Sequence, residues 1–358
     1  MRMRRGRPVS PNAGAVGRTR AYLEFIGAVI FYFLVRSIAR HGALALANET
    51  WLPLTEQAIQ LLLLVIVFAS FGRIFDRQNN PVAEQGLPFR RGWPGEAGLG
   101  LAVGWGAAIA CVLPLTLIGG IAIVLTTNRS AWAWFFADAV YFAVAAMVEE
   151  VAFRGYGFQR FTLVVGSVGA ALGYAAFYAG LLALLPGSSK ASIAVSVMFS
   201  LVLSIAYLRT RALWLSWGLN FAWKASRALI FGLALGGVSS HSSVVEGDPM
   251  GPFWLTGGGY GLDGSWFTFF VLLAAIPVVY RVTRDLDFRY NAPVIVAGGV
   301  AVDLDAAARR QHEAAMGASE PAAPSPAAPS LIQILPAATP SASNPVDRVP
   351  DAEQNTPR

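Results

Sequence analysis

Two adjacent glutamates, Glu149 and Glu150, stand at the end of a strongly apolar stretch, and Arg154 follows one helical turn later. Residues four apart share a face of a helix, so Glu150 and Arg154 are placed to form an ion pair. A carboxylate in such a setting can act as a general base that activates water. The spacing therefore indicates a carboxylate with its own counter-charge at the end of an apolar helix, although an ordinary ion pair at a membrane surface is the alternative.

A second polar group falls on a later apolar stretch. Its members recur at spacings of four, four and three, which places them on one face of a helix. They are Ser216, Asn220, Lys224 and Arg227. Polar groups within lipid must face a partner or a wet cavity, and the two glutamates are the expected partner. The alternative is that the two cations extend toward a membrane surface.

The composition indicates what must position these residues. The chain has 358 residues, of which 55% are hydrophobic and only 13% charged, against about 25% charged in a soluble domain. Several apolar windows approach the ~20 residues that cross a bilayer as a helix. We therefore predict an all-α fold, a polytopic transmembrane helical bundle of about eight spans. They lie at 22–39, 57–74, 96–125, 131–150, 161–185, 191–208, 212–235 and 265–281.

Composition also divides the chain into regions. We expect a basic cytoplasmic arm at 1–20, a transmembrane domain at 21–290 and an Ala/Pro/Ser-rich disordered tail at 291–358. The long run at 96–125 predicts a tilted helix or a turn near Gly119 and Gly120.

Arginine is concentrated on one side of the predicted spans, in 75–95, 151–160 and 209–211. This bias predicts that both termini are cytoplasmic and that 236–264 faces the opposite side. The net charge of +6 comes from these segments and does not indicate nucleic-acid binding. The preference for arginine over lysine, with abundant Ala and Gly, is compatible with a bacterial cytoplasmic (inner) membrane protein.

Over roughly residues 80–281, the sequence resembles the CAAX-protease and bacteriocin-processing family of intramembrane metalloproteases, also called CPBP or Abi. EEVAFR at 149–154 matches the family's Glu-Glu-x-x-x-Arg motif, and GYGFQRF follows it. RALWLSWGLNFAWKASRALIFG and FWLTGGGYGLDGS come later in the same order. The resemblance implies an endopeptidase with a glutamate-activated water in a membrane-embedded cleft. It also implies zinc as cofactor and a prenylated or membrane-embedded peptide as substrate.

The histidines of the family's other two motifs are missing. Phe-x-x-x-His would end at residue 181, which is Leu181, and His-x-x-x-Asn would occupy positions 220 and 224, which are Asn220 and Lys224. The chain has three histidines, which are expected in solvated loops or in the tail. They are His41, His241 and His312. Zinc takes about three His, Cys or carboxylate ligands, so two adjacent carboxylates and an amide are a weak set.

By this resemblance, five residues form the candidate catalytic site. They are Glu149, Glu150, Arg154, Asn220 and Lys224. One hypothesis is an endopeptidase with altered or lost metal chemistry, in which Asn220 and Lys224 serve as oxyanion donors. The alternative is an inactive relative that binds a peptide or lipidated partner in the same cleft and is stabilised by a Glu149–Lys224 ion pair. A transporter with a polar pathway is a third reading, but no inverted repeat supports it.

Overall fold

The computed structural model describes residues 11–184 and 187–286. Ten α-helices and two short strands follow one another in this part of the chain. The helices are α1 Pro11–Leu46, α2 Leu52–Phe75, α3 Pro81–Glu84, α4 Trp93–Leu117, α5 Arg129–Arg154, α6 Tyr156–Ala183, α7 Lys190–Thr210, α8 Leu213–Ala225, α9 Phe253–Thr256 and α10 Trp266–Val282. The strands are β1 Ile121–Leu125 and β2 Val245–Pro249. A π-helix, Ser226–Ile230, continues α8.

Each predicted span contains a helix, and several of these helices have membrane-spanning length. Among the described residues, five stretches are long and apolar enough to cross a bilayer. They are Gly17–Leu46, Leu52–Phe75, Trp93–Leu117, Arg129–Ala183 and Lys190–Thr210. The fourth stretch holds both α5 and α6, whereas α8, with 13 residues, and α10, with 17, are shorter.

Two predicted spans differ from the observed helices, and a predicted turn is present in a third. The run at 96–125 is not one long helix, because α4 ends at Leu117 and Gly119 turns the chain with a φ of +75°. This turn is the one that was predicted near Gly119 and Gly120. The run at 212–235 ends its regular α-helix at Ala225. Within α6, Gly166 adopts φ 79° and ψ 170°, which breaks the helix early in the predicted span.

The all-α prediction missed a small antiparallel sheet. β1 pairs with β2, so that Ile121 lies opposite Pro249 and Leu125 opposite Val245. β-branched residues such as those of IAIVL favour strands. The partner strand follows more than a hundred residues later, so no local sequence pattern revealed the pairing.

The N-terminal arm and the tail are largely beyond the described part of the chain. α1 begins at Pro11, so its first turns reach into the segment predicted as a basic arm. The predicted disordered tail at 291–358, including His312, lies outside the described residues.

Two apolar clusters form the core of the bundle. One is built mainly by α4, α7, α8 and α10, and the other mainly by α1, α2, α5 and α6. Helix α8 packs against α4, α5 and α7. The contact of α5 with α8 therefore joins the two halves, and this contact carries the predicted site.

Candidate active site

The last two turns of α5 carry the glutamates and the arginine. Glu150 is completely buried and Arg154 is 4% exposed. Glu150 Oε1 accepts a hydrogen bond from Arg154 Nη1 at 3.1 Å, and Arg154 Nη2 donates to the Ser200 carbonyl oxygen at 3.1 Å. Because both charges are buried, the alternative of an ordinary surface ion pair is wrong.

Gly155 ends α5 directly after this pair. The residue has φ −76° and ψ −139°, and a Cβ added to it would lie 2.3 Å from the Val151 carbonyl oxygen. Only a residue without a side chain fits so close to the preceding turn. The chain therefore turns into α6 within one residue, and the carboxylates stay at the end of a rigid helix.

Asn220 on α8 joins the two carboxylates. Its amide nitrogen donates to Glu149 Oε2 at 3.0 Å and to Glu150 Oε1 at 3.0 Å. The side chain of Asn220 is fully buried, so these two hydrogen bonds are shielded from water. Asn220 of the predicted stripe thus faces the glutamates, whereas Arg227, which lies beyond the end of α8, pairs with Asp263 instead.

Lys224 lies one turn further along α8. Its Nζ contacts Glu149 Oε1 as an ion pair, with the two side chains 17% and 29% exposed. The contact hypothesised from the sequence is therefore present. Both oxygens of Glu149 are engaged, one by an ammonium and one by an amide.

Glu149 and Lys224 line a cleft of about 410 Å³ between α2, α5, α6, α7 and α8. Phe142, Ala145 and Phe199 provide much of its apolar wall. Tyr260, in the loop that follows β2, also lines it, and burial raises the pKa of the Tyr260 hydroxyl above its ordinary value. This hydroxyl therefore stays protonated near neutral pH and can donate a hydrogen bond. The cleft has the size and mixed lining of a ligand pocket.

A second ion pair extends the polar lining of the cleft. Arg227 Nη1 donates to Asp263 Oδ1 at 2.6 Å, and the guanidinium lies over the Trp223 ring at 4.2 Å from its centroid. Arg227 is 2% exposed, so the alternative that it extends to a membrane surface is wrong. Asp263 was not singled out in the sequence, because a lone acid in a Gly-rich loop gives no periodic signal.

Asp138 and His241 form a third polar contact at the far end of the same cleft. Asp138 Oδ1 lies 2.9 Å from His241 Nδ1, and Asp138 Oδ2 accepts from the backbone nitrogens of His241 at 2.7 Å and Ser242 at 3.0 Å. His241 lies in a loop and is 48% exposed, as expected, but it also contacts Asp138, which was not expected. Its ring also packs against Trp134, with the centroids 5.4 Å apart.

The residues around Glu149 do not fit a zinc ion. Leu181 packs in an apolar cluster and offers no ligand. Lys224 brings a positive charge into contact with Glu149, so a metal cation there would face a like charge. Among the described residues, no three His, Cys, Asp or Glu side chains are grouped to hold a metal. The donor set therefore disagrees with the cofactor that the resemblance implied.

Residues 130–226 match the family model of the type II CAAX prenyl endopeptidases, described as Rce1-like. The matched segment runs from the start of α5 to the end of α8. It contains all five predicted site residues, and it confirms the resemblance inferred from EEVAFR. No curated protein and no solved structure matches the chain.

Proposed function

Residues 130–226 belong to the Rce1-like type II CAAX prenyl endopeptidase family, and on that premise we propose that this integral membrane protein is an intramembrane endopeptidase of the CAAX-processing type. The observation that supports this proposal is the position of Glu149. It is partly exposed to a cleft, and two hydrogen-bond donors lie against it. A base, donors and a confined cleft are the parts that peptide hydrolysis needs.

In this proposal Glu149 takes a proton from water, and the resulting hydroxide attacks the peptide carbonyl carbon. The oxyanion that forms accepts hydrogen bonds from Asn220 Nδ2 and Lys224 Nζ. The tetrahedral intermediate then collapses with cleavage of the C–N bond, and Glu149 gives its proton to the leaving amine, which completes the hydrolysis. Glu150 and Arg154 take no part in proton transfer and hold α5 in register with α7 and α8. No metal is required at any step.

The substrate class and the setting follow from the same family membership. The cleft is proposed to bind a membrane-embedded peptide or a prenylated peptide. We further propose eight membrane crossings, with α8 and α10 as the two short ones, and both termini in the cytoplasm. The protein then resides in a bacterial cytoplasmic membrane.

A cleavage assay tests the endopeptidase proposal. The purified protein in lipid nanodiscs is incubated with fluorogenic membrane peptides, prenylated and unprenylated. Glu149→Gln is expected to lower turnover by a factor of about 100 or more, because it removes the general base. Glu56→Gln is the matched control, since Glu56 pairs with Arg40 outside this site. It is expected to keep wild-type turnover.

The second candidate function is a non-catalytic relative that binds a peptide or lipidated partner in the same cleft. The Glu149–Lys224 ion pair favours it, because Lys224 and Asn220 already occupy the two Glu149 oxygens that would have to accept a proton from water. Equal turnover in wild type and Glu149→Gln, or none in either, would leave only this candidate. Binding of a labelled peptide that is lost in the cleft-filling variant Ala145→Trp would then support it.

A further inference from the structure

The two ends of the bundle differ in charge. At one end, arginines on several segments make ion pairs and hydrogen bonds. Arg160 Nη1 lies 2.9 Å from Asp76 Oδ1, and Arg90 Nη2 donates to the Thr210 carbonyl oxygen at 2.8 Å. The opposite end carries the β1–β2 sheet and the loops around it. By the arginine bias, the first end is cytoplasmic.

The cleft runs from Glu149 toward the sheet end. Along α5 its wall includes Ala145, Tyr141 and Asp138, which lie successively closer to the start of that helix. At 1.5 Å per residue, Asp138 is about 16 Å along the axis from Glu149. Ser239 and His241, in the loop before β2, line the same cleft beside Asp138.

The opposite side of Glu149 is closed. The space there is only about 10 Å³ and is lined by Phe153, Arg154 and Ser200. That volume holds about one water molecule. The hydrogen bond from Arg154 to Ser200 fixes α5 to α7 at this point. A peptide therefore has no open route to Glu149 from the arginine-rich end.

A short loop lines the sheet end of the cleft. Residues 238–244 connect the turn at Gly236 and Gly237 to the start of β2. In that turn, Leu235 N donates to the Val238 carbonyl oxygen at 2.9 Å. The loop is fixed to α5 by the three contacts that Asp138 makes with His241 and Ser242. A carboxylate that is 5% exposed within a membrane helix is costly unless several donors compensate it. Opening this loop would leave the Asp138 side chain without these three partners.

We propose that the cleft is entered from the membrane face opposite the arginine-rich end, and that residues 238–244 form a lid held closed by Asp138 and His241. Of the two ligand classes proposed above, this route favours a membrane-embedded peptide whose cleaved segment is exposed on the extracytoplasmic face over a prenylated peptide presented from the cytoplasm. That the ligand is a peptide rests on the proposed function. The route of access does not require hydrolysis, so the two proposals can fail separately.

Cysteine labelling tests the route directly, because the only native cysteine, Cys111, is fully buried. Three single substitutions serve as probes of the full-length protein in intact cells. Ser239→Cys reports the lid, Ala145→Cys reports the cleft one turn from Glu149, and Asn79→Cys reports the arginine-rich end. Each variant is treated with a membrane-impermeant maleimide before and after permeabilisation, with wild type as the unlabelled control.

Ser239→Cys and Ala145→Cys are expected to react in intact cells, the second more slowly. Asn79→Cys is expected to react only after permeabilisation. Reaction of Ala145→Cys only after permeabilisation would overturn the proposed route. Reaction of Asn79→Cys in intact cells would overturn the proposed orientation, and with it the extracytoplasmic ligand.

The lid is tested by adding Asp138→Asn to Ala145→Cys. Loss of the charge weakens three hydrogen bonds at once and is expected to raise the labelling rate about tenfold or more. His241→Ala keeps both backbone donors to Asp138 and is expected to raise the labelling rate by a smaller factor. This variant replaces Asp138→Asn in the test if Asp138→Asn does not fold. An unchanged rate in folded protein, judged by a monodisperse elution profile in detergent, would exclude the lid.

Discussion

Glu149 and Glu150 are neighbours in the chain, but their surroundings give them different roles. Glu150 has no exposure and is held between Arg154 and Asn220. Glu149 is partly exposed and faces the cleft beside Lys224. A helix places adjacent residues about 100° apart, so one carboxylate points into the helix packing and the other into the cavity. Glu149 is therefore the carboxylate that can meet a ligand.

The ion pair of Glu149 with Lys224 predicts a coupled effect on stability. Lys224→Ala leaves Glu149 without its cation and is expected to lower the free energy of unfolding by about 1–3 kcal/mol. This is less than the ~3–5 kcal/mol for a fully buried pair, because both side chains are partly exposed. The double variant Glu149→Ala/Lys224→Ala is expected to recover part of the loss. The measurement is denaturant unfolding in mixed micelles.

Each single variant is compared with the double variant in a thermodynamic cycle. Arg40→Ala is the matched control for loss of a cation, because Arg40 belongs to a more exposed pair with Glu56. It is expected to change stability by less than about 1 kcal/mol. Strictly additive effects of Glu149→Ala and Lys224→Ala would show that the ion pair contributes nothing.

At the scale of elements, the crossing of α4 and α8 determines where Asn220 and Lys224 lie. Gly100 and Gly104 on α4 meet the α8 backbone directly, because a Cβ on them would lie 2.2 Å from the Leu215 carbonyl oxygen and 2.4 Å from that of Leu219. Gly218 on α8 is equally close to Ala97. Small residues at such positions let membrane helices approach closely. The short α8 depends on this contact for its position.

Gly100→Ala is therefore expected to push α8 away from α4 and destabilise the protein by about 1–3 kcal/mol, as overpacking does. The shift also moves Asn220 away from the carboxylates, so ligand binding or turnover is expected to fall with it. Thermal unfolding in detergent, together with the peptide assay, measures both effects.

The chain offers a close control on the same helix. An added Cβ at Gly98 meets nothing within 4 Å, so Gly98→Ala is expected to be neutral or slightly stabilising. If Gly98→Ala and Gly100→Ala behaved alike, helix propensity rather than the α4–α8 contact would account for the result.

For the whole molecule, the two apolar clusters enclose a polar cleft whose charges balance one another. Glu149 pairs with Lys224, Arg227 with Asp263, and Asp138 with His241 when the imidazole is protonated. Burying charge in a membrane protein is tolerated where partners are present. The lysine thus provides the positive charge that a metal would otherwise bring to Glu149.

This balance predicts that the protein does not depend on zinc. Protein purified through a tag without histidines is expected to hold far less than one zinc per chain, because an ammonium occupies one oxygen of Glu149. Incubation with a chelator is expected to leave the thermal midpoint unchanged, since no structural metal is lost. Elemental analysis and thermal unfolding provide the two measurements.

One equivalent of zinc in wild type, lost in Glu149→Gln but kept in Glu56→Gln, would contradict the metal-free site. Zinc that both variants retain would lie elsewhere and would leave the description of Glu149 intact.

Several features could be predicted because they depend on local chemistry. Apolar length and the scarcity of charge predicted long membrane helices, and the helical period placed Asn220 and Lys224 on one face. The Glu-Glu-x-x-x-Arg segment pointed to the family that the match over 130–226 confirms. These features can be predicted without tertiary information. In lipid, the backbone must form its hydrogen bonds within a helix or a closed barrel, and a charged side chain needs a partner or a wet cavity.

Other features were decided only by the tertiary structure. The sheet of β1 and β2, the pairing of Arg227 with Asp263 and the contact of His241 with Asp138 each join segments distant in sequence. No periodicity within either partner encodes such a contact, since it depends on how helices cross and loops return. Residue types and their spacing were enough to predict that charged residues lie inside an apolar helical bundle. Only the packing of α5 against α8, and of the 238–244 loop onto α5, decided which charges meet and from which end the cleft opens.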